Sequence, residues 1–221
     1  MNLLITNDDG YQSEGLKTLA KKLSENNNVY ILAPSSNRSA VSHCIKMFEP
    51  VDIEKISDNV FSCSGFPADC AIIGLKSGIF PEIDAVISGI NYGANIGTDI
   101  LYSGTCSAAR QASMYGKPGI AVSVEYLNEE ETENPVYNFE PMAEFVAQNL
   151  ESLISMCGTV FPYHFVNVNG ISCDGYKGMK IAGEVAQRDY GDQVKLIKTD
   201  KGYKSVFIMG REQTFGGENS D

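Results

Sequence analysis

Two adjacent aspartates, Asp8 and Asp9, stand directly after the short apolar run at residues 1–6 and ahead of Gly10. Neighbouring like charges raise each other's cost of ionisation, and a divalent cation relieves that cost most directly. Standing alone, an Asp-Asp-Gly sequence reads better as a turn with a helix cap. The company of the pair favours the metal. Polar segments at 34–42 and 88–95 also follow expected strand ends, and in an open α/β sheet such loops converge on one crevice outside the strand carboxyl ends. Ser39 would add a hydroxyl and Asn91 an amide oxygen. Two carboxylates, a hydroxyl and an amide carbonyl make a hard, oxygen-rich set that suits magnesium or manganese better than zinc. Taken singly, Ser39 also reads as a helix cap, and Asn91 and Asn95 as turn residues beside Gly93 and Gly97.

A second chemical signal lies at Tyr102-Ser103-Gly104-Thr105, where small hydroxyl residues and a glycine open an expected helix. The first amides of a helix lack intrahelical partners, so a phosphate would bind there readily; Ser103 also suits simple N-capping. His43 and His164, the only histidines, are too far apart in sequence to form a ligand motif, although His43 lies close to the expected crevice. The chain contains no G-x-x-x-x-G-K-[ST], G-x-G-x-x-G or G-x-S-x-G motif, which weakens NTPase, dinucleotide and α/β-hydrolase readings.

The elements that must position these residues follow from hydrophobic periodicity. Residues 1–6 have no alternation, as expected of a strand buried on both faces of a parallel sheet. Leu16, Leu19, Ala20 and Leu23 recur at helical spacing over 13–24, and Val29-Tyr30-Ile31-Leu32-Ala33-Pro34 reads as a second strand. This βαβ unit is followed by an expected helix at 67–77, a strand at 85–88, a glycine-rich loop at 89–97, a helix at 103–115 and a strand at 119–123. An acidic loop holding Glu129, Glu130, Glu131 and Pro135, a helix at 139–154 and a strand at 164–169 complete a doubly wound α/β layout. Beyond Gly178 the segments 179–182, 194–197 and 203–208 read as antiparallel strands, the last two joined by a turn at Asp200-Lys201-Gly202. The expected division is therefore 1–178 for an α/β domain and 179–221 for a hairpin region that packs on a second subunit, because an isolated two-stranded hairpin is marginal in water.

Bulk properties limit the partners. A net charge of -11 over 221 residues argues against holding a nucleic-acid polymer by counterion release. A small phosphate ester remains compatible if a bound cation and backbone amides reverse the field locally. No apolar run reaches the roughly 18 residues of a membrane span. The six cysteines show no C-x-x-C pair and the start lacks a signal-like region, so reduced thiols in a cytoplasmic protein are expected.

Three long motifs occur in order: Leu-Leu-Ile-Thr-Asn-Asp-Asp-Gly-Tyr at the start, Ala-Pro-x-x-x-x-Ser-Ala at 33–40, and Ser-Gly-Ile-Asn-x-Gly-Ala-Asn-x-Gly-x-Asp-x-x-Tyr-Ser-Gly-Thr at 88–105. With them the chain resembles the SurE family, the stationary-phase survival proteins that act as 5'/3'-nucleotidases. The resemblance implies a Rossmann-like, mainly parallel α/β sheet with an appended C-terminal β-hairpin region, assembled as a homodimer or homotetramer. It also implies hydrolysis of nucleoside monophosphates with one divalent ion, Mg2+ or Mn2+, and in some members release of phosphate from short polyphosphate. Family metal ligands map onto Asp8, Asp9, Ser39 and Asn91, and the phosphate pocket onto Asn95, Ser103, Gly104 and Thr105, with Asn7 and Ser42 nearby. Catalytic roles are expected for Asp8, Asp9, Asn95 and Ser103, with Asp8 positioning or deprotonating the attacking water. After Ser-Gly-Thr the chain departs from the family pattern in the run Cys106-Ser107-Ala108-Ala109-Arg110-Gln111.

Overall fold

The computed structural model describes residues 1–126 and 136–221, so the acidic loop expected at 129–131 lies outside the described residues. Strand β1 (Asn2–Thr6) buries Leu3, Leu4 and Ile5 completely. Covering on both faces explains why its sequence does not alternate. Helix α1 (Glu14–Leu23) starts where the Ser13 side chain accepts the Leu16 N–H, with Glu14 in its first turn and Lys21 and Lys22 in its last, matching the helix dipole. Its buried Leu16, Leu19 and Leu23 face the core, each contributing about 1.5–3 kcal/mol by burial. Strand β2 (Asn28–Pro34) follows, then an antiparallel hairpin that the periodicity does not announce, β3 (Ile53–Ser57) and β4 (Val60–Cys63).

Helix α2 (Pro67–Lys76) has proline in its first turn, and the Asp69 carboxylate accepts the Phe66 N–H at 2.8 Å, closing the helix start. Strand β5 (Ala85–Tyr92) runs through the positions where a glycine-rich loop was expected. Glycine reads as a strand breaker from sequence, but here the register against the neighbouring strand shifts between Ser88 and Asn91, and pairing resumes beyond the irregularity. A 3₁₀ turn (Gly97–Leu101) leads to α3 (Gly104–Met114), β6 (Gly119–Glu125), α4 (Glu140–Ser155) and β7 (Val166–Ile171).

These strands form one seven-stranded sheet in the order β3-β4-β2-β1-β5-β6-β7, parallel except where the edge strand β3 runs against β4. The α/β expectation therefore holds. Strand β1 sits between β2 and β5, so successive crossovers leave it in opposite directions, and their loops open a crevice at its carboxyl end.

The remaining strands are β8 (Gln187–Asp189), β9 (Gln193–Thr199), β10 (Gly202–Ile208) and β11 (Gln213–Phe215). Strands β9 and β10 form the expected hairpin, and β8 pairs antiparallel with β11. Residues 179–182 are not a strand, contrary to their apolar alternation, because they find no partner ladder. The chain divides into two compact units, Met1–Asn95 with Leu101–Met179, and Ile96–Ile100 with Lys180–Asp221. In the second unit, Asp99 takes hydrogen bonds from Arg188 Nη1 at 2.8 Å and Tyr190 Oη at 2.5 Å, while Glu212 faces the same guanidinium. No helix among the described residues is long and apolar enough to cross a membrane.

Candidate active site

Asp8 and Asp9 follow the last residues of β1, in a turn closed by Asn7. The Asn7 carboxamide donates to Gly10 O at 3.1 Å and Ser13 Oγ at 2.7 Å, and its oxygen accepts the Gly10 N–H at 3.1 Å. Asn7 thus uses its side chain to shape its own loop. Gly10, with φ of 106°, makes the reversal that only glycine adopts without strain.

Asp8 is buried against the start of α3. Its Oδ1 accepts the Thr105 hydroxyl at 2.7 Å and its Oδ2 the Thr105 N–H at 3.2 Å. Gly104 is obligatory beside it, since a Cβ there would lie 2.8 Å from Asp8 Cβ and 2.9 Å from Asp8 Oδ2. The helix N-terminus does attract an anion, but that anion is Asp8's own carboxylate. The Gly104 and Thr105 N–H groups, expected to meet substrate phosphate, are both directed at Asp8 here. Burial raises the Asp8 carboxyl above its usual range, and the hydrogen bonds from Thr105 offset part of that rise.

Asp9 has no comparable support. Burial, and then the charge of Asp8, push its carboxyl up to about 7, against one opposing hydrogen bond from the Tyr92 backbone. Its Oδ2 is buried without a hydrogen-bond partner. A buried carboxylate oxygen left unmatched costs free energy in the folded protein unless something outside the chain neutralises it.

The two other loops reach the same place. The Arg38 N–H donates to Asp8 O at 2.6 Å and the Tyr11 N–H to Pro34 O at 2.9 Å, joining the loop after β2 to the loop after β1. Ser39, next to Arg38, is exposed, and its N–H is held by Asn37 Oδ1 at 2.9 Å. At the end of β5, Asn91 donates its amide nitrogen to Tyr92 O at 3.1 Å and Gly93 O at 2.8 Å, which fixes the carboxamide and leaves its oxygen as the available acceptor. Among the described residues no group of three or more His, Cys, Asp or Glu side chains could hold a metal. The candidate donors are instead two carboxylates, a hydroxyl and an amide oxygen. The orphaned Asp9 oxygen and this all-oxygen set fit a hard divalent cation.

Ser103 is buried and caps α3 through the Cys106 N–H at 3.0 Å. Asn95, also buried, donates its side-chain nitrogen to Ser123 Oγ at 2.9 Å. Ser42 is turned to Leu101, donating to its carbonyl at 2.6 Å, and remains exposed. His43 faces Gln111 Oε1 at 2.8 Å and His164 faces Met156 O at 2.9 Å, so neither joins the carboxylates.

A family model described as Survival protein SurE matches residues 3–191. The chain belongs to the SurE family. A protein of Leptospira biflexa named 5'-nucleotidase SurE is 45% identical over 151 residues, covering 68% of this chain and 59% of that relative. A 5'-nucleotidase SurE of Clostridium botulinum strain Langeland is 47% identical over 157 residues, covering 69% of the chain and 60% of the relative. The chain thus spans about three fifths of the length of these relatives. One from Leptospira interrogans serovar Lai aligns over 212 residues at 34% identity, covering 96% and 82%. The crystal structure of the SurE protein from Aquifex aeolicus superposes with a TM-score of 0.77 at 29% identity, covering 100% of this chain and 87% of that one.

Within this SurE chain Asp8, Asp9, Asn91, Asn95 and Ser103 stand in the segments that follow β1, end or follow β5 and open α3, while Asn7 bonds Gly10 and Ser13, and Ser42 bonds the Leu101 carbonyl. Asn167 and Asn169 on β7 hold Asn95, a contact the sequence reading did not include. Their signal was the Val-Asn-Val-Asn alternation at 166–169.

Proposed function

We propose that this SurE chain is a metal-dependent 5'/3'-nucleotidase that hydrolyses nucleoside monophosphates to nucleoside and phosphate, and also releases phosphate from short polyphosphate. The observation that carries the reading is the Asp8–Asp9 pair with its unpartnered, buried Asp9 oxygen at the crevice of an α/β sheet. The names of its relatives support the same activity.

Asp8, Asp9, Ser39 and Asn91 would hold one Mg2+ or Mn2+ ion. Such an ion supplies Lewis-acid polarisation of a phosphoryl oxygen and lowers the pKa of bound water. Thr105 fixes Asp8 in one orientation through paired hydrogen bonds, so that Asp8 positions the attacking water and accepts its proton. Asn95 and Ser103 face the transferred phosphoryl group. The Gly104 and Thr105 amides act one step back, through Asp8. The expected setting is a cytoplasmic homodimer or homotetramer.

Phosphate release measured across 5' and 3' nucleoside monophosphates and short polyphosphate tests the substrate class. Release from the monophosphates is the expected result. Transfer of a sugar from a nucleotide-sugar donor, with none released from AMP, would overturn it.

A further inference from the structure

Strand β7 reads Val-Asn-Val-Asn at 166–169. Alternation sends Val166 and Val168 to the hydrophobic core shared with α4, and Asn167 and Asn169 to the opposite face. That face meets Asn95. Asn169 accepts the Asn95 N–H at 2.8 Å and returns its own amide to Asn95 O at 3.3 Å, while Asn167 donates to the same carbonyl at 2.7 Å. The Asn95 main chain is therefore held entirely by side chains of a strand two places away from β5 in the sheet.

Asn167 has a second contact. Its Oδ1 receives the Cys106 thiol at 3.7 Å, in the first turn of α3, and the Cys106 N–H is in turn bound by Ser103 Oγ at 3.0 Å. Burial pushes the Cys106 thiol up to about 12, so it remains a neutral S–H donor at every working pH. One strand thus ties together the two pieces proposed to face the phosphoryl group, the Asn95 loop and the opening of α3. The loop before Asn95 is secured from β6 as well, by Gly93 N–H to Val124 O at 2.9 Å and Ala94 N–H to Glu125 Oε2 at 3.0 Å.

We propose that Asn167 and Asn169 are positioning residues of the site: they touch no substrate, and they set the placement of Asn95 relative to the Ser103 end of α3. The proposal rests on the nucleotidase reading for its kinetic consequence, and on geometry alone for the clamp. Displacing a site group by about an ångström costs up to about a hundredfold in rate.

The test uses the whole chain with Asn169→Ala and Asn167→Ala. Amide hydrogen exchange reads the clamp without turnover: the Asn95 amide should exchange at least tenfold faster in Asn169→Ala while amides of β1 keep their protection. Steady-state kinetics with AMP and manganese then read the role: kcat should fall about tenfold or more with KM changed less than threefold and the manganese-induced melting shift retained. An Asn95 amide as protected as in the wild type overturns the clamp. Faster exchange with unchanged kcat overturns the positioning role, as does a kcat loss that merely follows general loosening of β1. A wild-type protein that releases no phosphate from AMP overturns the function proposed above instead, and the exchange result still decides the clamp.

Discussion

At the end of β1 two carboxylates stand side by side, one supported by Thr105 and the other pushed up to about 7 by burial and its neighbour's charge. Because the folded-state pKa of Asp9 is raised above the ordinary 3.8, folding disfavours its ionised form. The metal-free protein should therefore lose stability as pH rises from about 4 through about 7, and be relieved of that penalty below it. Melting curves of metal-free protein against pH should show this decline in the wild type and a flatter profile in Asp9→Asn. Parallel profiles would contradict the assignment. Gly104 gives a second residue-scale prediction, since a methyl group 2.8 Å from Asp8 Cβ must displace the carboxylate. Gly104→Ala should cut phosphate release by about a hundredfold while circular dichroism stays native; full activity would show that Asp8's placement is immaterial.

At the scale of elements, β1, β2, β5 and β6 were legible because burial on both faces writes an apolar run into the sequence, as in Leu3-Leu4-Ile5. The elements that escaped were defined by pairing rather than by pattern. Strand β3 is an exposed edge, Ile-Glu-Lys-Ile-Ser, held only by β4, and β8 and β11 are too short for any period to show. The converse failure is 179–182, apolar enough for a strand but without a partner. For the candidate site, residue types and order named the segments after β1 and β5 and at the start of α3, but hydrogen-bond direction was invisible: nothing in Ser-Gly-Thr announces that its amides serve Asp8. The ion cluster of the second unit yields a further prediction. Arg188 is nearly buried between Asp99 and Glu212, so Asp99→Ala should destabilise β8 and β11 by about 1–3 kcal/mol, the cost of an unsatisfied buried charged donor. Unchanged hydrogen exchange of those strands would contradict it.

At the scale of the whole molecule, the β9–β10 hairpin exposes Val194, Leu196, Tyr203 and Phe207 along its length. Cross-strand pairing sets Val194 opposite Phe207 and Tyr203 opposite Lys198, so these apolar side chains share one face. The proposed homo-oligomer would cover that face. Leu196→Lys with Phe207→Lys should convert the assembly to monomer in sedimentation velocity, and an unchanged sedimentation coefficient would place the contact elsewhere. The proposed activity of the molecule as a whole would rest on the carboxylate pair holding a divalent ion. Phosphate release from AMP by wild type and Asp9→Asn, each with manganese and with EDTA, is the most direct measurement. The account predicts release only from wild type with manganese. Equal release from all four reactions would contradict it.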